Sequence, residues 1–114
     1  MAIVIITAKL EEQINKIFKK ESIKILESMR DLENNPKKGT AVGQVSGTVI
    51  KEIRHESYRF YFITDGYKIK VLSNNELSDL LIKFVRMSNK KDQQKVIEDI
   101  KKILRAIGET GFDV

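Results

Sequence analysis

The sequence predicts an α+β domain: an antiparallel sheet of four to five strands, an N-terminal pair of helices and a C-terminal helix. Three observations point there. Apolar residues recur at helical spacing between Leu10 and Leu32 and again between Val96 and Ile107. β-branched and aromatic residues crowd the middle of the chain, and turn residues punctuate that middle at hairpin spacing. Hairpin-linked strands with helices outside them place the helices on one face of the sheet. At 114 residues the chain suits one domain, able to bury roughly two-thirds of its unfolded surface. Residues 1–107 are read as that domain and 108–114 as a loose tail.

Taken in order, Ala2 to Ile6 is a short apolar strand. Thr7 offers a helix N-cap, and Glu11 and Glu12 suit the positive end of the helix that follows. Its stripe is Leu10, Ile14, Ile17 and Phe18. The helix pauses at Lys19-Lys20-Glu21, and Ser22 caps a second helix with Ile25, Leu26, Met29 and Leu32 on its apolar side; one long bent helix is the competing reading. Asn34-Asn35-Pro36 ends it, because the residue before proline resists helical dihedrals. Residues 36–47 carry Pro36, Gly39, Gly43, Gly47, Lys37 and Lys38, a loop leading into a short edge strand near Thr40 to Val45.

Residues 47–63, GTVIKEIRHESYRFYFI, form the central hairpin. Alternation puts Tyr58, Phe60 and Phe62 on one side, read as core, and Arg59, Tyr61 and Ile63 on the other. With a loop from His55 to Tyr58, Arg54 stands opposite Arg59. A second hairpin from Phe60 to Ser73 is expected around Asp65-Gly66, a strong two-residue turn signal, and a further turn over Asn74 to Ser78. Leu80 to Val85 is apolar on both faces apart from Lys83, as in a mid-sheet strand. Lys91 to Ile107 is the last helix, with Val96, Ile100, Ile103, Leu104 and Ile107 as its stripe and Gly108 as its cap.

Composition narrows the chemistry. Without cysteine there are no disulfides and no thiolate metal sites, and the single His55 excludes a histidine-clustered metal centre; no cofactor is expected. No segment has the length of a membrane span, and Met1 to Ile6 is too short for a signal peptide, so a soluble, cytoplasmic protein is expected. A formal net charge of +5 and a pI near 9.4 favour an anionic partner if the cations gather on one face.

The sharpest clue is the Arg54–Arg59 pair, since like charges directly opposite one another on a hairpin are destabilising unless an anion sits between them. The bland alternative is a surface pair with Glu52 and Glu56, worth at most about 1 kcal/mol. Lys51, of the same parity as Val49 and Ile53, reads as a snorkelling residue at the core edge, and His55 as a turn residue.

Four segments in this order, LENNPKKG (Leu32 to Gly39), IKEIR (Ile50 to Arg54), YRFY (Tyr58 to Tyr61) and FVRMSNKK (Phe84 to Lys91), make the chain resemble the RelE/ParE superfamily of toxins from toxin-antitoxin modules. The resemblance spans nearly the whole chain and rests on order and spacing. It implies a ribosome-dependent messenger endonuclease, in which a ribose 2'-hydroxyl attacks its neighbouring phosphodiester without a metal. Such a reaction needs an aligned sugar, a proton acceptor, cations around the phosphate and a donor to the leaving oxygen. By the same resemblance Arg59 is the arginine of the YR pair, Arg54 closes the preceding strand, and Arg86 lies in the basic strand-to-helix junction. Glu52 takes a place where some members have lysine, to act as a base or to neutralise Arg54, and Tyr61 on the arginine face is a candidate to stack a base. Lys37, Lys38, Lys83, Lys90, Lys91 and Lys95 complete the expected RNA-binding set. The tyrosine some members carry on the final helix is missing here. Expected partners are a cognate antitoxin, in a hetero-oligomer, and messenger RNA on the ribosome. A ParE-like gyrase inhibitor and an inactive antitoxin-binding homologue are the alternatives.

Overall fold

The computed structural model describes residues 1–113, with the side chains of all but Asn74 and Asn75. β1 (Ile3–Ile6) leads into α1 (Ala8–Phe18) and α2 (Ser22–Arg30), followed by β2 (Thr40–Val45), β3 (Thr48–His55) and β4 (Tyr58–Asp65). A short helix α3 (Gly66–Val71) precedes β5 (Leu81–Ser88), and α4 (Gln93–Ala106) follows it. The expected break between the first two helices is present: Lys19 takes a positive φ of 51°, and Lys19–Glu21 form a tighter turn before α2 begins.

The five strands lie in the order β1-β5-β4-β3-β2. The sheet is mixed, not antiparallel throughout, because β1 runs parallel to β5. Parallel neighbours require a crossover connection, and here everything from α1 to α3 intervenes between them. The outer edge of β1 is not left open: the Ala2 N–H donates to the Glu33 carbonyl at 2.9 Å, and Arg30 reaches the Val4 carbonyl at 3.4 Å. At the opposite edge, β2 carries a register irregularity between Ala41 and Gly43, which breaks the ladder a foreign strand would need.

Helices cover both faces, a second departure from expectation. On one face Leu10, Ile14, Ile25, Met29 and Leu32 pack against Ile53, Phe60, Phe62, Ile82 and Phe84. On the other, Ile97, Ile100 and Leu104 of α4 cover Ile50, Tyr61, Ile63 and Val85. β4 suits this place, since Phe60 to Ile63 offer apolar bulk to both sides, as in a strand sandwiched between layers. The buried stripe of α4 is rotated from the expected one, so that Ile97 is buried and Ile107 is two-thirds exposed.

Asp65-Gly66 does not make a two-residue hairpin. The Asp65 carboxylate accepts from the backbone N–H groups of Tyr67 and Lys68, at 2.9 and 3.3 Å, and so caps α3. Gly66 donates to the Gly47 carbonyl at 3.0 Å in a close approach that only glycine tolerates: a Cβ would stand 2.4 Å from Val49 Cγ2. Asn74–Leu77 then form a tight helical turn with a Ser73–Glu76 capping box, where a turn was expected.

The stretch after α4, expected to be loose, is folded back onto the sheet. Gly108 turns the chain at φ +93° and donates to the Ile103 carbonyl, and Glu109–Phe112 coil into a tight turn that buries Phe112. Among the described residues no helix is long and apolar enough to cross a membrane.

Candidate nucleic-acid interface

The strand register builds the site. Arg54 on β3 stands opposite Arg59 on β4, as the hairpin reading required, and Arg59 stands opposite Ser88 on β5. In the next row on the same face, Glu52 is opposite Tyr61 and Tyr61 opposite Arg86. A bulge in β5 makes the second row possible. Pairing steps from Phe62–Phe84 to Tyr61–Arg86, so Val85 and Arg86 both turn toward α4. Arg54, Arg59 and Arg86 therefore share one face of three neighbouring strands, roughly 5 Å apart in the pairing direction.

Their surroundings differ. The Arg54 side chain is 62% exposed while its Nε donates to Glu52 Oε1 at 3.2 Å, and the Glu52 side chain is only 2% exposed. Glu52 is thus held against Arg54, which fits the neutralising role better than that of a free base, although its second oxygen, Oε2, is buried with no partner among the described residues. Arg59 is turned in: Nη1 donates to the Ser57 carbonyl at 2.9 Å, and Nε is buried without a partner among those residues. Arg86 is half-buried, donates to its neighbour's carbonyl on Val85 at 2.7 Å, and lies over the ring of Phe112.

Tyr61 lies on the arginine face as expected, but it is completely buried and cannot stack a base. Its hydroxyl is instead 2.8 Å from Ser88 Oγ. Burial raises the phenol above its usual range, against the opposing pull of the Ser88 hydrogen bond. The folded chain therefore keeps this proton where the unfolded chain has lost it, and Tyr61 withdraws stability as pH rises past about 10. Tyr61→Phe is expected to cost about 1 kcal/mol near neutral pH, for the lost hydrogen bond. The same variant should flatten the alkaline fall, read as urea midpoints from about pH 8 to about pH 11.

Of the expected lysines, Lys83 is corrected. Its ammonium is buried against the Glu109 carbonyl, at 3.3 Å, and the Asp113 carboxylate, because the segment folded back after α4 closes over it. Lys90 and Lys91 are exposed and emerge directly after Ser88, beside the Arg59 row, and Lys95 is exposed on the first turn of α4. Lys37 and Lys38 are exposed just before β2, whose Thr40 is opposite Glu52. Lys51 is more deeply placed than a snorkelling residue: its ammonium donates to the Lys37 carbonyl at 2.9 Å, lies 5.8 Å from the centre of the Phe62 ring, and is pulled below its usual pKa by burial. His55 is not in the turn as expected: it is the last residue of β3, paired with Tyr58 across the Glu56-Ser57 turn, edge-on to Phe18 and 3.8 Å from Glu21.

Two residues of the site went unremarked in the sequence. Ser88 has the same parity as Arg86, which was a usable signal. Phe112 had none, standing alone beyond the helix cap. The chain matches no family model, no curated protein and no solved structure.

Proposed function

We propose that this protein is the toxin of a toxin-antitoxin module, a ribosome-dependent messenger endonuclease of the RelE/ParE kind. The observation that carries the reading is the convergence of Arg54, Arg59 and Arg86 on one sheet face, with the Arg54 guanidinium open to solvent. Lys90, Lys91 and Lys95 prolong the charge along the path from β5 into α4, and Lys37 and Lys38 flank it at the β2 edge. A helix start is a poor place for lysines unless an anion answers them.

On this reading Arg54 engages the scissile phosphate, its planar fork spanning two oxygens as negative charge builds. Glu52, buried and paired with Arg54, neutralises that guanidinium until the phosphate takes its place. The cognate antitoxin, the hetero-oligomer it forms and a cytoplasmic setting belong to the proposal.

Translating a reporter message in a cell-free system with the purified protein, and mapping message ends, tests it. Discrete new ends that require translating ribosomes are expected; intact messages at stoichiometric protein reject it. The Glu52–Arg54 pair and the buried Tyr61 favour a second reading, a ParE-like inhibitor of DNA gyrase that cuts nothing. Intact messages together with lost supercoiling would select it, whereas neither effect would leave an antitoxin-binding homologue without activity.

A further inference from the structure

Arg86 leaves β5 on the same face as Arg54 and Arg59, but a segment distant from it in sequence holds it. Its guanidinium carbon lies 5.1 Å from the centre of the Phe112 ring, and that ring is buried. The segment carrying Phe112 is anchored on both sides of it. Lys83, on the same face of β5, holds the Glu109 carbonyl and the Asp113 carboxylate. Gly111 packs so tightly under α4 that a Cβ there would stand 2.5 Å from Ile103 Cγ2. The ring is therefore a fixed wall and not a passing contact.

A guanidinium held over an aromatic ring keeps N–H groups available to an anion, and the contact restricts rotations that would otherwise be lost on binding. One N–H is already committed to the Val85 carbonyl, a second restraint on the group. We infer that Phe112 is a positioning residue, holding the edge of Arg86 toward a phosphate of single-stranded RNA; the inference rests on the RNA reading of this face.

The test is binding of an oligouridylate to the purified full chain, followed by fluorescence anisotropy over a range of salt. Phe112→Leu keeps the apolar bulk and removes the π face, whereas Phe112→Tyr keeps both. Phe112→Leu is expected to weaken binding about three- to tenfold and Phe112→Tyr to bind like the parent. The slope of log affinity against log salt should fall by about 0.7 in Phe112→Leu, the value of one lost phosphate contact on a single strand. In an Arg86→Ala background Phe112→Leu should add nothing, because the two residues act as one unit.

Parent-like binding by Phe112→Leu beside a weakened Arg86→Ala, or losses that add in the double variant, would overturn the inference and leave the RNA reading standing. Parent-like binding by Arg86→Ala would remove Arg86 from the site and overturn the inference, whereas no binding of oligouridylate by the parent would overturn the RNA reading with it. Should Phe112→Leu not fold, the Arg86 Nε–H resonance of the parent decides: displaced by the ring and moved by oligouridylate if the inference holds, unmoved by oligouridylate if it does not.

Discussion

Phe62→Ala is expected to lower the free energy of unfolding by about 3–5 kcal/mol, the range for emptying a fully buried phenylalanine site. For a chain of this size that is a fall in melting temperature on the order of 12–20 °C. The ring is completely buried between the sheet and the α1–α2 layer and packs on Phe84 with centroids 4.9 Å apart, tilted by 47°. Gly39 lies so close to its edge that a Cβ there would stand 3.0 Å from Phe62 Cζ. Little can move to fill the void, because β3 and β5 pair with β4 on either side and hold the neighbouring side chains in register. Phe18→Ala is the internal comparison. That ring is only partly buried at the rim, edge-on to Tyr58, so its loss should be clearly smaller. Urea unfolding of the two variants checks both; a Phe62→Ala loss below about 1 kcal/mol would mean that this layer is not packed as described.

What the sequence disclosed, and what it withheld, divides along a physical line. Period-two alternation and loop length specify which residues pair, so the Arg54–Arg59 register and the β2 edge strand were readable. The break at Lys19–Glu21 was readable for a similar reason, since it interrupts a local stripe. Alternation says which side chains share a face but not what covers that face. Arg59, Tyr61 and Ile63 mix charge with apolar bulk, and only the placement of α4 reveals that this side is interior too. That placement buries Tyr61, while Lys83 is closed over by the segment after α4 and Arg59 is drawn to the Ser57 carbonyl.

Asp65-Gly66 failed for a different reason. The same aspartate that opens a tight hairpin turn can cap a helix, and Lys68-Ile69-Lys70-Val71 alternates well enough to pass for a strand. The choice was made by the Asp65 carboxylate reaching two backbone N–H groups, and by β5 taking the place beside β4. Long-range pairing of this kind leaves no local mark.

On the proposed nuclease reading, Arg54→Ala is expected to slow message cleavage by about 10²–10³-fold, the usual loss when one preorganised charge contact to a developing anion is removed. Arg54 is singled out over Arg59 because it alone of the facing pair is open to solvent, whereas Arg59 is committed to the Ser57 carbonyl and buried. Arg54→Lys should recover only a small part, since an ammonium is a point charge and cannot span two phosphate oxygens. Arg54→Ala also strips Glu52 of its partner and leaves a buried carboxylate uncompensated, so some loss of stability must accompany the loss of rate. Glu52→Gln combined with Arg54→Ala separates the two effects. The neutral amide needs no counter-charge, so the double variant should regain stability while cleavage stays low. Single-turnover cleavage on stalled ribosomes beside urea midpoints for the same preparations provides the measurement. If the double variant regained cleavage along with stability, Arg54 would be a structural counter-ion to Glu52 and the phosphate would have to be held elsewhere on this face.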